Sequence, residues 1–174
     1  PRPRGRHPPH HPSVNYLVDA DWLIDAAIGR TRAQHLLECL SDDGLAVSII
    51  AVAEVYEGAF GSPNPQATLD GLRAFLGDFA ILPVTEPIVE QFARLRATLR
   101  RQGQLIPDMA LLIAATAITE NLTLITRNVR HFARLSDLQL YQPSYPDTDT
   151  LPGPTDRCTA RGAAGSPPCA QLIN

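Results

Sequence analysis

The sequence predicts an α/β fold of three layers, with a mostly parallel sheet of about five strands between helices. Three observations carry that expectation. Short apolar runs such as Leu45–Ile50 (LAVSII) and Leu122–Thr126 (LTLIT) alternate with longer stretches of helical periodicity. One or two helices separate successive strands, the spacing that parallel crossover connections need. The segment Ala110–Ile118 (ALLIAATAI) is apolar almost all round, as a helix covered on every side must be.

The elements follow in order. Asn15–Asp19 (NYLVD) is a short buried strand that ends on an acid. Asp21 to Ile28 carries Trp22, Leu23, Ala26 and Ala27 at helical spacing and is stopped by Gly29. Arg32–Leu40 is a second amphipathic helix, ended by Ser41-Asp42-Asp43-Gly44, and its Cys39 reads as a core thiol. Leu45–Ile50 is the second strand. Ala51–Phe60 is the helix after it, closed by Gly61 and Pro63, and Gln66–Leu76 sets Leu69, Leu72, Phe75 and Leu76 on one face. Phe79–Val84 reads as a third strand. Glu86–Arg101 is a long helix with Ile88, Val89, Phe92, Leu95 and Leu99 inward and arginines outward. Pro107-Asp108 opens the apolar helix, which runs to about Thr119. Leu122–Thr126 is a strand, Val129–Phe132 a helical turn, and Leu138–Tyr141 a last edge strand.

Length and composition bound the functions available. The 174 residues suit one domain with an adequate core. No run approaches the length of apolar sequence that a transmembrane helix needs. All 15 basic residues are arginine; against 18 acids they leave a net charge of −3. That balance excludes a grip on nucleic acid by gross charge, while leaving a local basic face open. Residues 14–141 hold ten arginines, 15 acids and only five of the 16 prolines, and are expected to form the folded domain. The Pro/Arg/His segment 1–13 and the Pro-rich segment 142–174 are expected to be disordered tails. The chain begins at Pro1 without a Met, which suggests processing, truncation or engineering, and the first segment lacks the apolar stretch of a secretory signal. His7, His10 and His11 read as part of a flexible tail rather than a metal site. Cys39, Cys158 and Cys169 show neither metal-ligand spacing nor a disulfide framework, so a cytoplasmic location is expected.

In open parallel sheets, sites form outside the carboxyl ends of the strands. Asp19 ends the first strand, and Glu54 lies one turn into the helix after the second. Asp108 opens the apolar helix, and Asn128 follows LTLIT in Thr126-Arg127-Asn128. Carboxylates gathered in one crevice repel and call for a cation or protons. Hard oxygen ligands suit Mg²⁺ or Mn²⁺, and such sites activate water and steady the oxygens of a transferring phosphate. The competing reading is that Asp19 and Asp108 merely cap helices and Glu54 is solvated.

Four blocks of the chain resemble a known family. They are Tyr16–Ala26 (YLVDADWLIDA), Val47–Gly58 (VSIIAVAEVYEG), Ile106–Ala117 (IPDMALLIAATA) and Leu124–Phe132 (LITRNVRHF). In order and at normal spacing they look like the motif blocks of the PIN-domain nucleases, and most of all the VapC-type toxins of toxin–antitoxin pairs. The resemblance implies a doubly wound parallel sheet and a Mg²⁺- or Mn²⁺-dependent attack of water on RNA phosphodiesters. It also implies a homodimer and a small antitoxin that occludes the acidic cleft; from the lack of a long apolar run, no membrane partner is expected. By position, Asp19 matches the first metal-ligand Asp and Glu54 the Glu of the second block. Asn128 matches the polar residue of the fourth block, and Thr126 the Thr that supports the first Asp. Asp21 falls at a supporting polar position.

The third block departs from the family. Its metal-ligand Asp falls at Ala110 here, and Asp108 lies two residues earlier. Two residues turn a helix by about 200°, so Asp108 can stand in only if it lies outside the regular helix as the N-cap. Ala110 is either an inactivating substitution or the mark of a weakened or dead member; in both cases reduced activity is expected. Arg127 and Arg130 flank the fourth block as candidate phosphate contacts, with solvated surface as the alternative. Arg94, Arg96, Arg100 and Arg101 read as a solvated helix face, His131 as a turn residue, Glu57 as surface charge, and Trp22, Leu23 and Tyr56 as packing. A catalytically inactive PIN-like scaffold or binding module is the rival reading. A flavodoxin-like protein is a third, unsupported because no Gly-rich loop follows a strand.

Overall fold

A computed structural model describes residues 14–142. The expected tails lie outside the described residues apart from Gln142, as do His7, His10, His11, Cys158 and Cys169. The first strand, β1 (Tyr16–Val18), is buried throughout. Asp19 ends it and starts α1 (Ala20–Ala27) by accepting the N–H of Ala20. Helix α2 (Thr31–Leu40) and a 3₁₀ turn at Ser41–Asp43 lead into β2 (Leu45–Ser48).

Ile49 and Ile50 belong to the next helix, α3 (Ile49–Phe60), rather than to the strand. The cause is Ser48, whose hydroxyl accepts the N–H of Ala51 at 3.1 Å and caps the helix two residues earlier than apolar character alone suggests. Helix α4 (Pro65–Leu76) opens with a proline in its first turn, where no N–H is required. Strand β3 (Ala80–Leu82), the long α5 (Glu86–Arg101), α6 (Asp108–Thr119), β4 (Thr123–Ile125) and the single-turn α7 (Val129–Phe132) complete the chain.

The sheet has four strands in the order β3-β2-β1-β4, all parallel. Four replaces the expected five because Leu138–Tyr141 makes only one parallel bridge, between Leu140 and Leu124. A three-residue β4 spends Thr123 and Ile125 on β1. Only the N–H and C=O of Leu124 point outward, to Gln139 and Tyr141 at 2.8 Å each. The chain winds outward through β2 and β3, then returns to the other side of β1. That reversal opens a crevice at the carboxyl ends of the central strands.

Helix α6 is the covered helix its composition predicts. Leu111, Ile113, Ala114, Ala115 and Ala117 are each at most 1% exposed. Helix α5 packs on it through Ile88 and Leu99, with Phe92 and Leu95 half-buried; Val89, expected inward, is exposed instead. Cys39 is a second correction: it is half-buried against the ring of His35, not in the core, because it lies on the flank of α2 beside Leu36 and Leu40.

An acidic cleft at the carboxyl ends of the central strands

The cleft of ≈ 160 Å³ is built from four separate parts of the chain. Strand β1 delivers Asp19, and the first turn of α1 delivers Asp21. Glu54 comes from α3, Ala110 and Ile113 from α6, and Asn128 and Phe132 from either end of α7. Phe132 and Ile113 are 1% exposed and form an apolar wall. Water is therefore restricted on one side of the carboxylates.

Asp19 is 8% exposed and held at both oxygens. Its Oδ1 accepts the N–H of Ala20 at 2.9 Å, and its Oδ2 accepts the hydroxyl of Thr126 at 2.7 Å. The same Thr126 hydroxyl accepts the N–H of Asn128 at 3.0 Å. One buried threonine thus links the end of β1 to the start of α7. The Asn128 amide group lies 2.6 Å from Nδ1 of His131, one turn on.

Asp21 is bound almost as completely. Its Oδ1 accepts the N–H of Trp22 at 2.7 Å and its Oδ2 that of Arg127 at 2.8 Å. Burial and the neighbouring charge of Asp19 nevertheless push its carboxyl up to about 6, against the opposing pull of those N–H groups and of the Arg127 guanidinium. Burial raises Asp19 too, and the bonds from Thr126 and Ala20 offset part of that rise. Glu54 is raised by burial, then by the charges of Asp19, Asp21 and Glu57. Three carboxylates that each disfavour ionisation, Asp21 and Glu54 partly through neighbouring acidic charge, form a site deficient in positive charge.

Asp108 does not join them. It is the first residue inside α6, with Pro107 as the cap, so the 200° rotation separates it from position 110. Its carboxylate is gripped by Arg96, Nε to Oδ1 at 2.7 Å and Nη2 to Oδ2 at 3.2 Å. That guanidinium holds Asp108 below the usual carboxylate range. Ala110 faces the cleft and brings no donor atom.

The arginines divide. Arg127 is committed: its guanidinium pairs with Asp25 and lies 4.6 Å over the ring of Trp22. Arg130 lines a separate, shallower depression. Arg94 pairs with Glu90 at 2.5 Å and Arg101 bonds Thr98 at 3.1 Å, consistent with a solvated helix face. Trp22 and Leu23 are buried packing residues, and Tyr56 is partly buried. The residue missed from the sequence is Asp25, 7% exposed and paired with both Arg30 and Arg127. Its signal was present in the four-residue spacing from Asp21, which puts both acids on one face of α1.

The donor set suits a hard divalent cation. The carboxylates are oxygen donors short of positive charge, whereas a softer metal would want sulfur or imidazole. Among the described residues no three Asp, Glu, His or Cys side chains form a ready cage. Two carboxylates and retained waters are nonetheless enough for Mg²⁺, which dehydrates reluctantly and is often held that way. The site fits such a partly hydrated ion at Asp19 and Glu54.

Comparison with known proteins agrees with this architecture. The family model described as PIN domain matches residues 16–138. Ribonuclease VapC1 of Haemophilus influenzae (strain R2866) is 32% identical over 126 residues, covering 71% of this chain and 94% of the relative. Ribonuclease VapC2 of Haemophilus influenzae (strain ATCC 51907 / DSM 11121 / KW20 / Rd) is 36% identical over 128 residues, covering 72% and 96%. The crystal structure of VapBC2 from Rickettsia felis, bound to a DNA fragment from its promoter, contains a chain with a TM-score of 0.68 and 29% identity. That match covers 73% of this chain and 97% of the other.

Proposed function

The chain belongs to the PIN-domain family, and on that footing we propose that it is the ribonuclease toxin of a toxin–antitoxin pair, a Mg²⁺- or Mn²⁺-dependent endoribonuclease. The observation that carries the proposal is the convergence of Asp19, Asp21 and Glu54 in one cleft, each raised in pKa. Such a cleft attracts a divalent ion. The names of the relatives, ribonucleases all, supply the substrate class.

In this reading Asp19 and Glu54 hold the ion and Asn128 assists at the rim, while Asp21 and Thr126 support. With an ion bound, the chemistry supplied is the activation of water and the steadying of phosphate oxygens. The protein does the rest. Thr126 and the N–H of Ala20 fix the Asp19 carboxylate in one orientation, so little reorganisation is left for the reaction. Ile113 and Phe132 keep one wall dry, which strengthens every charge interaction in the cleft. Asp108 stays outside this set, held by Arg96.

An antitoxin partner follows from the relationship to VapBC assemblies. An arginine from that partner would satisfy the carboxylates in place of the metal charge. The same reading carries a homodimer, RNA as substrate and a cytoplasmic setting. Ala110 favours a second reading, a scaffold that has lost catalysis, because the cleft has no donor on its α6 side.

The test is an RNA cleavage assay with and without EDTA on three proteins. The chain as it stands should cleave weakly. Ala110→Asp should raise EDTA-sensitive cleavage by orders of magnitude, and adding Asp19→Asn should remove it. No EDTA-sensitive cleavage by Ala110→Asp would leave the scaffold as the better description.

A further inference from the structure

Five of the ten arginines among the described residues pair with an acid. Arg30 and Arg127 share Asp25, Arg73 pairs with Asp70, Arg94 with Glu90, and Arg96 with Asp108. Arg130 and Arg134 differ from these five, and from Arg101, in lining one depression together. Among the described residues neither forms an ion pair, in a domain whose acids outnumber its arginines. Arg134 is instead tethered through Nη1 to the backbone carbonyl of Gln104 at 3.2 Å. That tie joins the α7 segment to the loop between α5 and α6. Together Gln104, Arg130, Ala133 and Arg134 line an open depression of ≈ 350 Å³.

The α7 segment carries residues of both sites. Asn128 and Phe132, at its two ends, border the cleft; Arg130, within the turn, and Arg134, just past its end, border the depression on the other side. A helix is only about 10 Å across with its side chains, so the two sites share α7 as a common wall. We propose that the Gln104–Arg130–Arg134 depression is a phosphate seat that holds the backbone of a single-stranded RNA whose neighbouring phosphodiester enters the acidic cleft. The proposal rests on the ribonuclease reading and adds a binding site to it.

Chemistry favours RNA over a protein partner here. The lining is polar and cationic, with Ala133 its only apolar member, so it lacks the apolar centre that anchors a protein interface. Guanidinium groups match phosphate oxygens through paired N–H donors, and two unneutralised ones four residues apart can grip the backbone without reading bases. The acidic cleft alone would repel RNA, so a neighbouring cationic seat supplies the attraction that the net charge denies.

Fluorescence anisotropy of a labelled oligouridylate, in EDTA so that nothing is cleaved, tests the seat. The double variant Arg130→Gln/Arg134→Gln should bind about tenfold more weakly at low salt, and the slope of log affinity against log salt should fall by about 1.4 for two lost contacts. Arg73→Gln, on α4, should match the parent. Both altered side chains lie at an open surface, and an unchanged thermal melt would show that the fold is intact. Equal RNA affinity and slope in parent and double variant would overturn the seat while leaving the ribonuclease reading standing. A double variant that loses affinity only for polyglutamate, and not for RNA, would overturn it in favour of an acidic protein segment. If the double variant loses RNA affinity as expected but Ala110→Asp never cleaves, the seat survives and the ribonuclease reading fails.

Discussion

Lowering the pH should stabilise this protein when divalent ions are absent. The sign follows from Asp21. Its folded-state carboxyl is raised from 3.8 to about 6, so between those values the folded chain keeps a proton that the unfolded chain has lost. The resulting penalty is full above pH 6 and disappears as the pH falls toward 4. A shift of that size corresponds to about 3 kcal/mol at 1.36 kcal/mol per unit. About half is recovered between pH 8 and pH 5, and screening at a partly exposed group leaves about 1 kcal/mol. For a domain of this size that is about 3–5 °C in Tm. Asp19 and Glu54 are raised in the same direction and add to the trend. The assay is a thermal melt in EDTA at steps from pH 8 to pH 5, repeated with Mg²⁺. Tm should rise as the pH falls, and Mg²⁺ should raise it most at pH 8, where the carboxylates are ionised. A Tm that falls steadily toward pH 5, together with no response to Mg²⁺ at pH 8, would refute the electrostatic account of the cleft.

Two further outcomes follow from the hydrogen bonds. Thr126→Val removes a donor to buried Asp19 and an acceptor for the N–H of Asn128, and should cost about 1–3 kcal/mol in urea denaturation, with Asp19 raised still further. Asp108→Asn should leave the Mg²⁺-induced rise in Tm intact, whereas Glu54→Gln should largely remove it, because only Glu54 borders the cleft. A Mg²⁺ response that vanishes in Asp108→Asn would return Asp108 to the site.

Much of the fold was legible because its signals are local. The long α5 was read to its observed ends from periodicity, and α6 from being apolar all round. What escaped was set by partners far along the chain. The last strand fell to a single bridge because β4 is too short to offer more than one outward residue. At the site, Asp19, Glu54 and Asn128 were visible as polar residues after strand ends and Thr126 through the family resemblance, and the structure brings them together. Asp25 was marked only by its four-residue spacing from Asp21, and its hold on Arg127 was not visible, since the pairing joins residues about a hundred positions apart. Asp108 shows the limit of motif reading: adjacency in sequence says little when a helix turns the neighbour away.

Asp19 both caps α1 and anchors Thr126, whereas Ala110 sits in the first turn of α6 and brings only a methyl group to the cleft. The two positions therefore offer unequal routes to silence. Silencing the cleft through the loss of the Asp19 side chain would also remove the cap on Ala20 and the bond to Thr126. Position 110 carries no such bonds, and a single substitution would return an acid there, favoured by the helix N-terminus and opposed by the neighbouring carboxylates. On the proposed reading, activity could change at position 110 without disturbing the contacts that Asp19 makes within the fold.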